Sequence, residues 1–260
     1  GIYDEIYDLT GWAWFPALGP GSLIPWLAKH EREVLDRAAY CLWAKDWARY
    51  CLTGIPATDE TDPSNGHENQ AERTYSEKAL ELMGLSNYRS LLPEIVPSWK
   101  TAGEVTGEAA QRTGLRKGTP VATGAWDASS TALGAGGVNP GEACSILGTA
   151  GVHTAVWDEP APDPERVYSL SVHCVPGRWL IHSLAMLAAA NLNWFLREFG
   201  LPWEKEAEEA GVNIFDLCDR DVSQVPIGAR GIIYLPFLQG ERAPFLKPTA
   251  RAVFFGLGMW

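Results

Sequence analysis

A glycine turn between two apolar strands, followed by a second strand pair and a long apolar run, constrains this chain most. Ala143–Leu147 and residues 152–157 flank Gly148-Thr149-Ala150-Gly151 and read as two strands joined by that turn. Residues 168–175 and 179–183 read as two more strands, with Pro176-Gly177 as their hairpin turn. Residues 184–199 read as one long helix, and 232–235 as a further strand. The first half has another texture. Residues 22–38 read as a helix with Leu27, Val34, Leu35 and Ala38 on one face. Residues 45–52 read as a second helix, stopped by Gly54 with Pro56 beyond. Thr74-x-x-Glu77 is a capping-box pattern opening a helix that ends at Gly84, and Thr106 can cap another that ends near Gly114. A buried strand is expected over residues 121–125, leading into a helix of small residues, Asp127–Gly134. A helix-rich first half and a hairpin-then-helix second half predict an α/β protein of two domains meeting near residue 138.

Composition narrows the function. With 46% hydrophobic and 20% charged residues among 260, the chain can bury a sizeable core. A net charge of −11 argues against nucleic acid or an anionic membrane as partner, since both need a basic surface. An anionic ligand would have to be held by local backbone donors. Cys41, Cys51, Cys144, Cys174 and Cys218 follow no zinc or disulfide spacing and read as buried, reduced thiols of a cytoplasmic protein. No apolar run is long enough to span a bilayer, and no stretch reads as a secretory signal. The tryptophans are expected mainly in the core. Both ends, including the aromatic cluster Trp12, Trp14 and Phe15 and the apolar residues 252–260, read as cut.

P-loop, G-x-S-x-G, H-E-x-x-H and protein-kinase motifs are absent, and the run Gly134-Ala135-Gly136-Gly137 lacks dinucleotide-binding spacing. Four features remain. Asp127 opens a small-residue helix, where the N-terminus favours an ionised carboxylate that could accept a hydroxyl proton. From this residue alone an N-cap is the commoner role. The turn Gly148–Gly151 could bring backbone N–H groups and the Thr149 hydroxyl to phosphates, or be a plain hairpin turn. Ala188, Ala189 and Ala190 leave one helix side smooth, with Asn193 one turn after Ala189, whereas Asn191 reads as a satisfied core amide. Glu241 and Arg242, beside Pro244, read as a structural ion pair.

Taken in order, the segments resemble the FGGY family of carbohydrate kinases. The match runs through Thr10-Gly11, Trp26-Leu27-Ala28-Lys29-His30, residues 44–54 with Lys45, Asp46 and Trp47 and ending in Leu52-Thr53-Gly54, and Ala57-Thr58-Asp59. It continues through residues 124–127 with Ala132-Leu133-Gly134, Leu147-Gly148-Thr149, Tyr234-Leu235-Pro236, Gly240-Glu241-Arg242, and Ala250-Arg251 with Phe254-Phe255-Gly256-Leu257. The resemblance implies two ribonuclease-H-like domains of the actin and hexokinase type with a nucleotide cleft, both incomplete in this chain. Residues 1–138 would be the later part of the sugar-binding domain and 139–260 the earlier part of the nucleotide-binding domain.

It further implies Asp127 as catalytic base, with Asp127 and Trp126 at the substrate (Trp126 chiefly as packing). Gly148, Thr149 and Gly151 would contact ATP phosphates, and Ala189 and Asn193 the nucleotide, which is used with Mg2+. The substrate would be a small sugar or polyol, nearest to pentuloses and erythritol-like polyols. A homodimer is compatible with this reading. The sequence departs from the family pattern at Ala150, Ala128 and Leu23. An N-terminal Asp-Gly-Thr phosphate loop and a later glycine-rich adenosine motif are missing, so the isolated segment is expected to have no kinase activity. Two other readings stay open: a non-catalytic sugar-sensing protein with this fold, and an actin-like nucleotide-binding assembly protein.

Overall fold

Glycine and threonine at helix ends set much of the local structure. In a computed structural model the helix Ala44–Thr53 stops at Gly54, whose φ of 71° is left-handed and whose N–H returns to the Tyr50 carbonyl. The helix Gly107–Thr113 starts where the Thr106 hydroxyl accepts the Ala109 N–H and ends at left-handed Gly114. The structure describes residues 1–13, 20–63 and 67–259. Trp14 and Phe15, singled out above, lie outside them.

The chain divides into two units, residues 1–144 with 154–182, and residues 145–153 with 183–260. The first contains helices α1 (Ile2–Thr10), α2 (Pro20–His30), α3 (Arg32–Asp36), α4 (Ala44–Thr53), α5 (Glu77–Leu82), α6 (Gly107–Thr113) and α7 (Asp127–Gly134). Its short strands are β1 (Ala57–Thr58), β2 (Glu68–Asn69), β3 (Thr74–Tyr75), β4 (Glu94–Ile95), β5 (Thr101–Glu104) and β6 (Pro120–Ala122). They pair as β1 with β4 in parallel, and as β2 with β3 and β5 with β6 in antiparallel. Strands β7 (Ala143–Leu147), β8 (Gly151–Trp157), β9 (Ser169–Val172) and β10 (Trp179–Ala185) form a sheet in the order β7-β8-β10-β9. The β9–β10 hairpin aligns Trp179 with Val172 and His182 with Ser169. The second unit continues with α8 (Ala189–Phe199), α9 (Leu201–Ala210), α10 (Ile214–Val222) and the antiparallel pair β11 (Ile233–Leu235) and β12 (Val253–Phe255).

The main core joins Ile6 of α1, Ile24 of α2 and Leu35 of α3 to Ala79, Leu80, Met83, Leu85, Leu91 and Leu92. A smaller cluster packs Ala132 of α7 on Val156 and Leu180. That small-residue face seats α7 and carries Asp127 at its first position.

Several expectations need correction. The helix expected over residues 22–38 is two, because Glu31 leaves helical geometry (φ −139°, ψ 46°). Ser76, not Thr74, caps α5 by accepting the Ala79 N–H, since Thr74 pairs with Asn69 in the β2–β3 ladder. The helix expected from residue 184 begins at Ala189. Leu184 and Ala185 extend β10, and an apolar run does not by itself distinguish strand from helix. The strand before Asp127 is shorter than expected and not buried, as β6 pairs only with β5. The cysteines are free, but Cys51 is exposed and the rest half-buried. Among the described residues no tryptophan is fully buried, and Trp26, Trp47 and Trp99 are about half exposed.

Candidate functional site

Asp127 is the first residue of α7 and is exposed. The cap position belongs to Trp126, so the N-cap reading is displaced by one residue. The Asp127 carboxylate accepts the N–H of Ala128 at 2.7 Å. That bond stays inside the turn, and the turn itself is fixed from elsewhere. The Trp126 N–H donates to the Thr61 hydroxyl at 2.6 Å. Thr61 in turn donates both its hydroxyl and its N–H to one oxygen of Asp59, which also receives Ser98 Oγ at 3.2 Å. Arg49 donates to the Thr123 carbonyl at 2.5 Å and to that of Ala57.

These bonds root the turn in a buried ionic cluster. The Lys45 ammonium reaches Asp46 at 2.6 Å, Asp62 at 2.9 Å and Asp59, and Arg49 reaches Asp46 at 3.1 Å. Asp46 and Asp59 have no exposed surface, and Asp62 and Arg49 very little. Burial pulls the lysine pKa down, but the attraction of Asp59, Asp62 and Asp46 together leaves it raised. Burial raises Asp62 to about 6 against the pull of Lys45. Beside the cluster, burial raises Glu60 to about 7, although Arg73 at 3.3 Å opposes it. Glu68 is raised well above its ordinary range by burial and then by Glu60, and neither of its oxygens has a hydrogen-bond partner.

Among the described residues Asp46, Asp59 and Asp62 are the one group placed to share a metal ion. Lys45 already contacts all three and supplies the positive charge there, so the cluster fits an ion-pair core and not a metal centre.

An aromatic group lies beside Asp127. Trp126 and Trp12 meet edge to face at 5.9 Å, and each meets the His182 ring, at 5.3 and 6.0 Å. Both tryptophans are half-buried, so Trp126 packs as expected while keeping some surface. His182 is 1% exposed, bonds Ser171 Oγ through Nε2, and leaves Nδ1 unpartnered. Burial lowers its pKa to about 3, which keeps the ring neutral.

In the second unit Gly148, Thr149, Gly151 and Ala189 come together. The N–H groups of Ala188 and Ala189 donate to the Thr149 and Gly148 carbonyls at 2.8 and 2.9 Å, so the turn caps the start of α8. The Gly148 N–H bonds the Ala150 carbonyl inside the turn and is not aimed outward. A Cβ on Gly151 would lie 3.3 Å from His153 Nε2 and 3.5 Å from Ala188 Cβ, so glycine permits this close approach. Thr149, Ala189 and Asn193 are exposed. Asn193 lies one turn beyond Ala189 on α8, while Asn191 is half-buried and accepts the Tyr234 hydroxyl at 2.9 Å. The expected Glu241–Arg242 ion pair is not formed. The Glu241 carboxylate instead accepts the N–H of Arg242 at 2.8 Å and of Met186 at 2.9 Å, tying down the segment that enters α8.

Sequence reasoning did not single out Thr61, Ser129, His173, His182 or the buried role of Lys45. The one local signal was the polar density of Thr58-Asp59-Glu60-Thr61-Asp62, within residues 58–69 that read as a polar, proline-containing loop. No helix among the described residues is long and apolar enough to cross a membrane.

Comparisons with known proteins agree along the chain. The family model for the FGGY family of carbohydrate kinases, N-terminal domain, matches residues 1–134, and that for the C-terminal domain matches residues 143–260. Erythritol kinase of Brucella abortus is 36% identical over 234 residues, 86% of this chain and 44% of the relative. Xylulose kinase of Escherichia coli is 30% identical over 250 residues, 96% of this chain and 49% of the relative. The crystal structure of xylulose kinase from Rhodospirillum rubrum superposes with a TM-score of 0.85 at 28% identity, covering 99% of this chain and 50% of that one. The chain spans about half the length of the curated relatives it matches.

Proposed function

The chain belongs to the FGGY family of carbohydrate kinases, and on that premise we propose that it serves ATP-dependent phosphorylation of a hydroxyl on a small sugar or polyol. The observation that carries the reading is Asp127, an exposed carboxylate at the first position of α7 whose turn is anchored to a buried ionic cluster. Rigid support with an open carboxylate suits a general base, which must meet a substrate hydroxyl in a fixed direction. Asp127 would accept the proton as that hydroxyl attacks the γ-phosphate, with Trp126 beside the substrate. Gly148, Thr149 and Gly151 would meet the phosphates, and Ala189 and Asn193 the rest of the nucleotide. Residues 1–138 would then supply the sugar side and 139–260 the nucleotide side. Mg2+ would arrive with the ATP phosphates. Phosphoryl transfer relies mainly on alignment and charge stabilisation, so such positioning groups carry much of the catalysis. The relatives' names favour a pentulose or a small polyol, and ATP use favours the cytoplasm.

The test is ADP release from the full-length protein with MgATP and a panel of pentuloses, hexuloses and polyols. Activity with one of them, lowered ~10²–10⁴-fold in kcat by Asp127→Ala, is the expected result. A variant with normal kcat removes Asp127 from the role. Sugar binding without turnover by any substrate would favour the sugar-sensing alternative.

A further inference from the structure

We infer that Ser129 and His173 are a positioning pair, which holds the first turn of α7 in register and thereby aims the carboxylate of Asp127. The inference rests on the reading of Asp127 as the base. Asp127 bonds no further than its neighbour Ala128, so the direction of its carboxylate is inherited from the helix backbone. Thr61 holds that backbone on the N-terminal side, at Trp126. Ser129 holds it two residues beyond Asp127, on the buried face.

The geometry gives every hydrogen a place. His173 Nε2 lies 2.9 Å from the Gly137 carbonyl oxygen, which can only accept, so Nε2 carries the proton. In the neutral ring Nδ1 is then the acceptor, and Ser129 Oγ donates to it at 2.8 Å. The same Oγ accepts the Cys174 N–H at 2.9 Å. Ser129 and His173 are both 0% exposed. Burial, the largest influence on His173, lowers its pKa and keeps the ring in the neutral form that this pattern needs.

Three segments are thus locked to one another: the first turn of α7, the glycine turn that follows α7, and the residues just after β9. Gly137 is part of the lock. Its N–H closes the helix on the Ala132 carbonyl, and a Cβ there would lie 2.9 Å from that oxygen. Packing alone would not call for this pair. The other buried members of the face are Ala128 and Ala132, and alanine is the better helix former. A buried hydroxyl and imidazole are costly unless both are paired, and here each is. What they add over alanine is direction.

The experiment uses the full-length protein with Ser129→Ala, His173→Gln and the double variant. Folding is checked by circular dichroism and melting temperature, and kcat and KM are measured for sugar and ATP. Ser129→Ala should fold, since it removes only a hydroxyl from a helix. The expected result is a kcat lowered about 10- to 100-fold in each single variant, with KM for ATP unchanged. The double variant should lose no more than the worse single one, because the two residues act as a unit. Variants that melt earlier but keep the wild-type kcat overturn the inference and leave the pair a packing role, as do losses that simply multiply in the double variant. A wild-type protein without sugar-dependent ADP release overturns the kinase reading itself, and the positioning role with it.

Discussion

Glu60 offers a direct measurement of how the buried charge near Asp127 behaves. The residue is 2% exposed, and its pKa rises from an ordinary 4.5 to about 7, mainly through burial. Each tenfold change in proton affinity is worth about 1.4 kcal/mol, so the rise corresponds to about 3 kcal/mol. The folded state binds this proton more tightly than the unfolded state. The contribution is therefore fully present below the unfolded pKa of 4.5 and is lost as pH rises through the folded value of about 7. Glu60→Gln keeps the shape and removes the titration. Urea unfolding of both proteins at about pH 5 and about pH 8 should show the variant gaining about 2 kcal/mol on the wild type between those conditions. Glu68 stays in both proteins. Without Glu60 beside it, Glu68 ionises more easily, which moves the variant in the same direction. Parallel stability profiles for the two proteins would refute the reasoning, because they would mean that Glu60 is already ionised at the lower pH.

Other substitutions test other parts of the same unit. Lys45→Met leaves Asp46, Asp59 and Asp62 without their shared ammonium and should cost about 3 kcal/mol in urea unfolding; a loss well under 1 kcal/mol would show the cluster to be solvated. Ser76→Ala should cost about 1 kcal/mol by removing the cap of α5, and Thr74→Ala should show no such capping loss; the reverse order would return the cap to Thr74. Gly11→Ala should cost about 2 kcal/mol, since Gly11 has φ 67° and an added Cβ would lie 2.9 Å from Leu170 Cβ. An unchanged melting temperature would mean that this contact gives way freely.

What the sequence disclosed was local. Gly54, Gly114 and Thr106 act through bonds within one helix turn, so their roles could be read from residue type and spacing. The start of α8 could not, because residues 184–188 are as apolar as the helix they precede and only the backbone geometry at Ala188 separates them. Asp127 stood out in the sequence only through its place in an ordered set of segments. Its supports did not: Thr61 is 65 residues from Trp126, and His173 is 44 from Ser129. The burial of Lys45 with the aspartates was not legible, because sequence spacing does not reveal which charges become buried against one another. The turn at Gly148 was legible as a turn, but its service as a cap for α8 depends on a contact across some forty residues.

The same contrast explains why a site of this kind can tolerate an exposed, lightly bonded carboxylate. Bonds made directly to Asp127 would hold it still, but on the proposed reading they would also occupy the oxygens that a substrate hydroxyl would have to reach. Here the constraint is applied to the backbone on both sides, through Thr61 at Trp126 and through Ser129, and the carboxylate stays open. The arrangement transfers the cost to the interior, where Asp59 accepts from Thr61 and Lys45 and Arg49 offset the buried negative charge. Burial raises Asp62 to about 6 and Glu60 to about 7, against the pull of Lys45 and Arg73. Any change that unbalances the cluster should therefore reach Asp127 through Thr61 and Trp126, without touching a residue that meets the substrate.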